Sequence, residues 1–145
     1  MNYQGIVLFH KTELFDNAIE FYEDNDSKII EFDTEEISNS KQLHFELKSK
    51  LYLPSSYANT FESLLECLLE YEVEEEGLVL IFEQLDKLPF KYVYSLLDVL
   101  ANVAKAKQKE GFTFVVLAQV DNSYFKLYKP LNSPEFICWN EKEKK

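Results

Sequence analysis

Apolar positions along the chain follow two periods. GIVLFH (5–10), KIIEFD (28–33), GLVLIFEQL (77–85) and FTFVVLAQV (112–120) are short apolar runs with β-branched and aromatic content, and they predict strands. The last two are apolar almost without interruption, the pattern of strands covered on both faces. Helical spacing fills the gaps between them. ELFDNAIEFYED (13–24) places apolar residues at 14, 15, 18, 19 and 22. SNSKQLHFELKSKLYL (38–53) opens on cap residues, repeats apolar positions at 43, 47 and 51, and stops before Pro54. TFESLLECLLEY predicts a helix to about Tyr71, with Asn59 as its cap and Glu62 three residues on in a capping-box-like arrangement. FKYVYSLLDVLANVAKAKQKEG (90–111) is a long helix whose end carries Lys105, Lys107, Lys109 and Gly111, all favourable there. SPEFICWN (133–140) predicts a late edge strand, and EKEKK (141–145) a frayed tail. Strands alternating with helices define an α/β class with an at least partly parallel sheet. With no internal repeat, residues 1–145 read as one domain.

Composition changes this picture in one place. The chain has 26 acidic and 15 basic residues, net −11, and every base is a lysine. Residues 51–86 hold nine acids (Glu62, Glu66, Glu70, Glu72, Glu74, Glu75, Glu76, Glu83 and Asp86) and no base, so this window supplies −9 and the remainder only −2. At about 100° per residue, Glu62, Glu66 and Glu70 share one helix face. Phe61, Leu64, Leu65 and Leu68 form the core face, and Leu69 lies beside the acids. Like charges at i, i+4 destabilise a helix by a few tenths of a kcal/mol per pair, so folding alone favours mixed charges here. A uniformly negative face instead suits a positive partner, with electrostatically steered encounter.

Other chemistries find little support. An acidic, arginine-free chain lacks the fork that phosphate recognition exploits, which argues against nucleic-acid binding. His10 and His44 stand in no metal-binding spacing, and His44 in LHFELK reads as a partly buried helix residue. DNDSKIIEFDTEE (24–36) has Lys28 at a ligand position and no central glycine, so it is not a calcium loop. Neither a glycine-rich phosphate loop nor GxSxG occurs. Cys67 and Cys138 sit in apolar settings and read as buried thiols, with a disulfide left open. No basic segment leads into a long apolar core, and no apolar run reaches the ~20 residues that span a bilayer. The expectation is therefore a cytoplasmic protein without membrane contact, metal or cofactor, acting by binding and not as an enzyme.

KQLHFELKSKLYLPSSYANTFESLLECL (41–68) carries Leu43-His44, Leu47-Lys48, Leu51, Leu53-Pro54, Tyr57, Leu64 and Cys67-Leu68 in order. At this spacing the segment resembles the barstar family of intracellular ribonuclease inhibitors, and LVLIFEQ (78–84) and KEGFTFVVL (109–117) are similar to its later elements. The resemblance covers about 28–119 and leaves 1–27 and 120–145 as additions. It implies a small, mainly parallel three-stranded sheet flanked by helices, here extended by an N-terminal strand–helix and a C-terminal edge strand. It also implies that an acidic helix and the loop before it plug the active site of a basic ribonuclease or related toxin. Carried onto this chain, the key acids fall on Glu62 and Glu66, with Glu70 as a further acid. The flanking contacts fall on Ser56, Tyr57, Thr60, Phe61, Leu65, Leu69 and Tyr71. The family's Gly-x-Asn is Ala58-Asn59-Thr60 here, its mid-helix Trp is Leu65, and an acid of its last helix aligns with Ala106. The expected role is an immunity protein, monomeric when free. The alternative is an acidic adaptor or regulatory protein on the same fold, binding a basic protein that is not a nuclease.

Overall fold

The computed structural model describes residues 3–140. Five strands form one parallel sheet: β1 (Gly5–Phe9), β2 (Lys28–Asp33), β3 (Leu78–Glu83), β4 (Phe114–Gln119) and β5 (Ile137–Trp139), in the order β2-β3-β4-β1-β5. Four helices connect them: α1 (Thr12–Asp24), α2 (Ser40–Leu51), α3 (Phe61–Leu69) and α4 (Phe90–Lys109). The family-like part supplies β2, β3 and β4. Both additions join the same edge of that three-stranded core, with β1 beside β4 and β5 beyond β1. The tail expected over 141–145 lies outside the described residues.

Alternation along the strands sorts the core into two layers. Ile6, Leu8, Leu80, Phe82, Val116 and Ala118 face α2, α3 and α4. Val7, Phe9, Val79, Ile81, Val115 and Leu117 face the opposite way, onto Phe15, Ala18 and Tyr22 of α1. Because both faces are covered, β1 and β4 are buried at every position, and that burial explains why they are apolar throughout except for the terminal Gln119 of β4. Gly5 is required where β1 begins. Its φ is +88°, and a Cβ there would stand 2.5 Å from the Phe136 carbonyl oxygen just before β5.

Several sequence expectations are revised. α3 ends at Leu69, not near Tyr71, and α2 is shorter at both ends than 38–53. His44 is fully buried rather than partly so. Cys138 is exposed on edge strand β5 and Cys67 is half-buried, and no disulfide joins them. Strand β5 lies at the sheet edge, where Ile137 and Trp139 pack half-buried against the helix layer and Cys138, on the other face, is exposed. Among the described residues no helix is long and apolar enough to cross a membrane.

Candidate functional site

The site begins at the end of α2. Tyr52 takes a left-handed conformation (φ +55°) and stands 86% exposed, while Leu53 turns inward. The Tyr57 amide donates to the Pro54 carbonyl at 2.9 Å, closing the turn. Tyr57 itself points into the protein, where its hydroxyl is hydrogen bonded to Nδ1 of buried His44. The Phe61 ring lies 5.0 Å from the His44 ring. Burial holds the Tyr57 hydroxyl well above the usual tyrosine pKa, with Cys67 adding a smaller push, and burial lowers the pKa of His44. This pair therefore stays neutral and fixes the turn against α2.

The turn delivers the chain into α3 through Thr60. Asn59, the expected cap, is left-handed (φ +58°) and lies one residue too early. Thr60 is extended, and its hydroxyl accepts from the Ser63 amide at 3.0 Å. The Ser63 hydroxyl accepts in turn from the Ala58 amide at 2.9 Å. The capping box foreseen for Asn59 and Glu62 is therefore not formed: Thr60 caps the helix alone, Ser63 reaches back past it to the Ala58 amide, and Glu62 is left to face solvent. α3 packs Leu64 and Leu68 into the core at 0% exposure. Phe61 and Leu65 are half-buried, Leu69 is 40% exposed, and Glu62, Glu66 and Glu70 are exposed. Among the described residues none of these three carboxylates makes an ion pair; the pairs present are Lys50–Glu46, Lys87–Glu35 and Lys105–Glu135.

The far end of α3 is held by a residue that sequence reasoning missed in this role. Lys107, on α4, is 3% exposed, and its Nζ donates to the carbonyls of Leu69 at 2.9 Å and Tyr71 at 2.8 Å. It satisfies groups that a helix terminus leaves open and places a positive charge at the negative end of the dipole. Lys28 Nζ lies 5.7 Å from the centre of the Tyr71 ring. So lysines from β2 and α4 do approach the acidic segment, yet they secure its backbone and Tyr71 and leave the carboxylate row open. The loop after Tyr71 is defined too, with the Gly77 amide donating to Glu74 and the Ser27 hydroxyl to the Glu76 carbonyl.

A groove of about 420 Å³ runs between the 52–56 turn and α3. Ser56, Glu66, Glu70 and Tyr71 line it, together with Tyr52 and Ser63, which the sequence did not single out. Ser63 was findable as a second small hydroxyl after Thr60. Tyr52 was not, because nothing in the sequence marks a left-handed residue after α2. Tyr57 offers no surface side chain, and the Thr60 hydroxyl is spent on the cap. A second hollow of about 590 Å³ opens on the other side of Tyr71, among Leu69, Glu72, Lys107, Glu110 and Phe112. Ligands of open α/β sheets bind beyond the carboxyl ends of the strands. Here that crevice is lined by Asp33, Glu35, Glu83 and Asp121 and is ill suited to a phosphate. No cluster among the described residues has the make-up of a metal site.

Comparison with known proteins bears on the whole arrangement. The family model described as Barstar (barnase inhibitor) matches residues 27–119, well over half of the chain and all of the site. Solved structures that match include Cdc6p from Pyrobaculum aerophilum, at 14% identity and TM-score 0.60 over 93% of this chain and 38% of that one. Another is a chain from the structure of Drosophila ORC bound to AT-rich DNA and Cdc6, at 15% identity and TM-score 0.59 over 94% and 47%. The chain spans less than half the length of either, and at such identity the likeness is one of fold. It takes in more than nine-tenths of the chain. No curated protein matches.

Proposed function

Since the chain belongs to the barstar family, we propose that it is a ribonuclease inhibitor that blocks its target by presenting α3 to a basic active site. The observation that carries this reading is the row of exposed carboxylates, Glu62, Glu66 and Glu70, which make no ion pair among the described residues and stand on a helix anchored at both ends. Glu62 and Glu66 meet the lysine, arginine or histidine groups that would otherwise hold RNA phosphate, and Glu70 extends the row. Phe61, Leu65, Leu69 and Tyr71 surround those pairs and exclude water. Ser56 and the Thr60 backbone complete the rim. The acids of 72–76 serve encounter, because exposed charge acts mainly on association rate.

Rigidity matters to this mechanism. A helix capped by Thr60 and tied down by Lys107 loses little freedom on binding, so less of the interaction energy is spent on ordering. The target on this reading is a cognate basic ribonuclease, to be sought first among the neighbouring genes, where an immunity protein and its toxin are expected to lie together. Glu62→Ala and Glu66→Ala should each weaken binding to that nuclease by about 2–5 kcal/mol, partly because a buried charge on the nuclease is left unpaired. Parent-like inhibition by both variants would remove α3 as the binding element.

A further inference from the structure

The acidic window has a partial counterpart. Residues 87–97 and 122–134 contain Lys87, Lys91, Lys126 and Lys129; the bordering acids Asp86 and Asp98 are taken up by hydrogen bonds from the Asn122 and Asn132 amides, and Lys87 pairs with Glu35. The fold brings the two stretches together at the start of α4. Tyr128 packs on Phe90 at 5.6 Å and on Tyr94 at 5.0 Å. Lys129 lies over the rings of Tyr94 and Tyr128 at 5.0 and 5.7 Å. The Tyr94 hydroxyl donates to the Pro130 carbonyl at 2.9 Å. Phe90 and Tyr128 are 44% and 62% exposed, an uncommon concentration of aromatic surface. Beside them an apolar hollow of about 420 Å³ is lined by Leu127, Pro130 and Trp139. α4 starts with no side-chain cap and no acid in its first turn, so its positive dipole end adds to the lysines. Lys91, Lys126 and Lys129 make no ion pair among the described residues.

This face calls for carboxylates flanking an apolar anchor. The protein itself displays that combination on α3, as Glu62, Glu66 and Glu70 beside partly exposed Leu65 and Leu69. Within one chain no ion pair joins the two faces. We propose that the lysine–aromatic face at the start of α4 docks α3 of a second copy, head to tail, so that the free protein covers its own acidic helix. Opposite charge meets opposite charge, and Leu69 enters the hollow beside Tyr128. The net charge of each copy opposes approach, so the contact is weak and forms at high protein concentration. It is a heterologous contact that leaves one face of each kind open at the ends of the assembly. The docking stands whether or not α3 also meets a nuclease; where it does, nuclease and second copy compete for the same helix.

Two variants on exposed positions test this by complementation. The patch variant Lys126→Glu/Lys129→Glu keeps α3, and the helix variant Glu62→Gln/Glu66→Gln keeps the patch. Sedimentation velocity of the parent, from micromolar towards millimolar concentration, should show association that high salt reverses. Each variant alone should stay monomeric, and an equimolar mixture should form a one-to-one dimer that cannot extend. A parent that stays monomeric throughout, or a mixture that fails to dimerise, overturns the proposal. So does a patch that binds a single-stranded RNA oligonucleotide while the mixture stays monomeric. The patch variant should still inhibit the nuclease. Failure of complementation with nuclease inhibition intact in that variant sinks only the docking, whereas inhibition retained by the helix variant sinks only the nuclease reading.

Discussion

His44 and Tyr57 show how a single buried pair can position a surface. Neither is exposed, yet together they set the turn that carries Ser56 and delivers Thr60 to the helix start. Their shifts imply a stability window. The His44 pKa is lowered in the fold, so below about pH 6.5 the unfolded chain takes up a proton that the folded one resists, and stability falls as pH falls. The Tyr57 pKa is raised, so above about pH 10 the unfolded chain ionises first and stability falls again. Urea midpoints measured across this range should plateau between the two limits, and His44→Gln should flatten the acid limb relative to the parent. Lys107 is the second such residue. Lys107→Met keeps the apolar stem but leaves the Leu69 and Tyr71 carbonyls without their donor. The expected cost is about 1–3 kcal/mol in urea unfolding, with the end of α3 losing amide-exchange protection first. A parent-like midpoint would show that water replaces the amine without penalty.

At the scale of elements, α3 shows what sequence reasoning reaches and where it stops. Its faces were legible, because helical spacing alone separates Leu64 and Leu68 from Glu62, Glu66 and Glu70. Its start was not, since Asn59 and Thr60 are both good cap residues and only the left-handed backbone of Asn59 decides between them. Thr60→Ala should therefore cost about 1 kcal/mol in thermal or urea unfolding, whereas Asn59→Ala acts only through backbone strain. α4 hid its key residue for a different reason. Lys107 reads as one more lysine at a helix end, and its burial under α3 depends on a contact distant in sequence. The continuous runs of β3 and β4 were the clearest signals, because strands covered on both faces confine polar residues to their ends, here Glu83 and Gln119.

For the whole molecule, the three-stranded core of the barstar family is widened along one edge by β1 and β5, with α1 covering the face that α2, α3 and α4 leave open. The flanking segments were readable as a strand–helix and an edge strand. Their joining the same edge was not, since strand order depends on pairing that no local pattern encodes. The acidic surface lies on the helix layer, borne by α3 and the loop after it. With that distribution, association with a basic nuclease should slow steeply as salt rises, while dissociation changes little. Stopped-flow measurement across ionic strength would show this, and an association rate indifferent to salt would remove steering from the account. The most direct test of the central claim is equilibrium titration of the cognate ribonuclease with the parent, Glu62→Ala, Glu66→Ala, and Glu20→Ala on α1 as a distant acidic control. The prediction is that the two α3 variants lose about 30-fold or more in affinity, the equivalent of at least ~2 kcal/mol, while Glu20→Ala matches the parent. Equal affinity for all four proteins would contradict it.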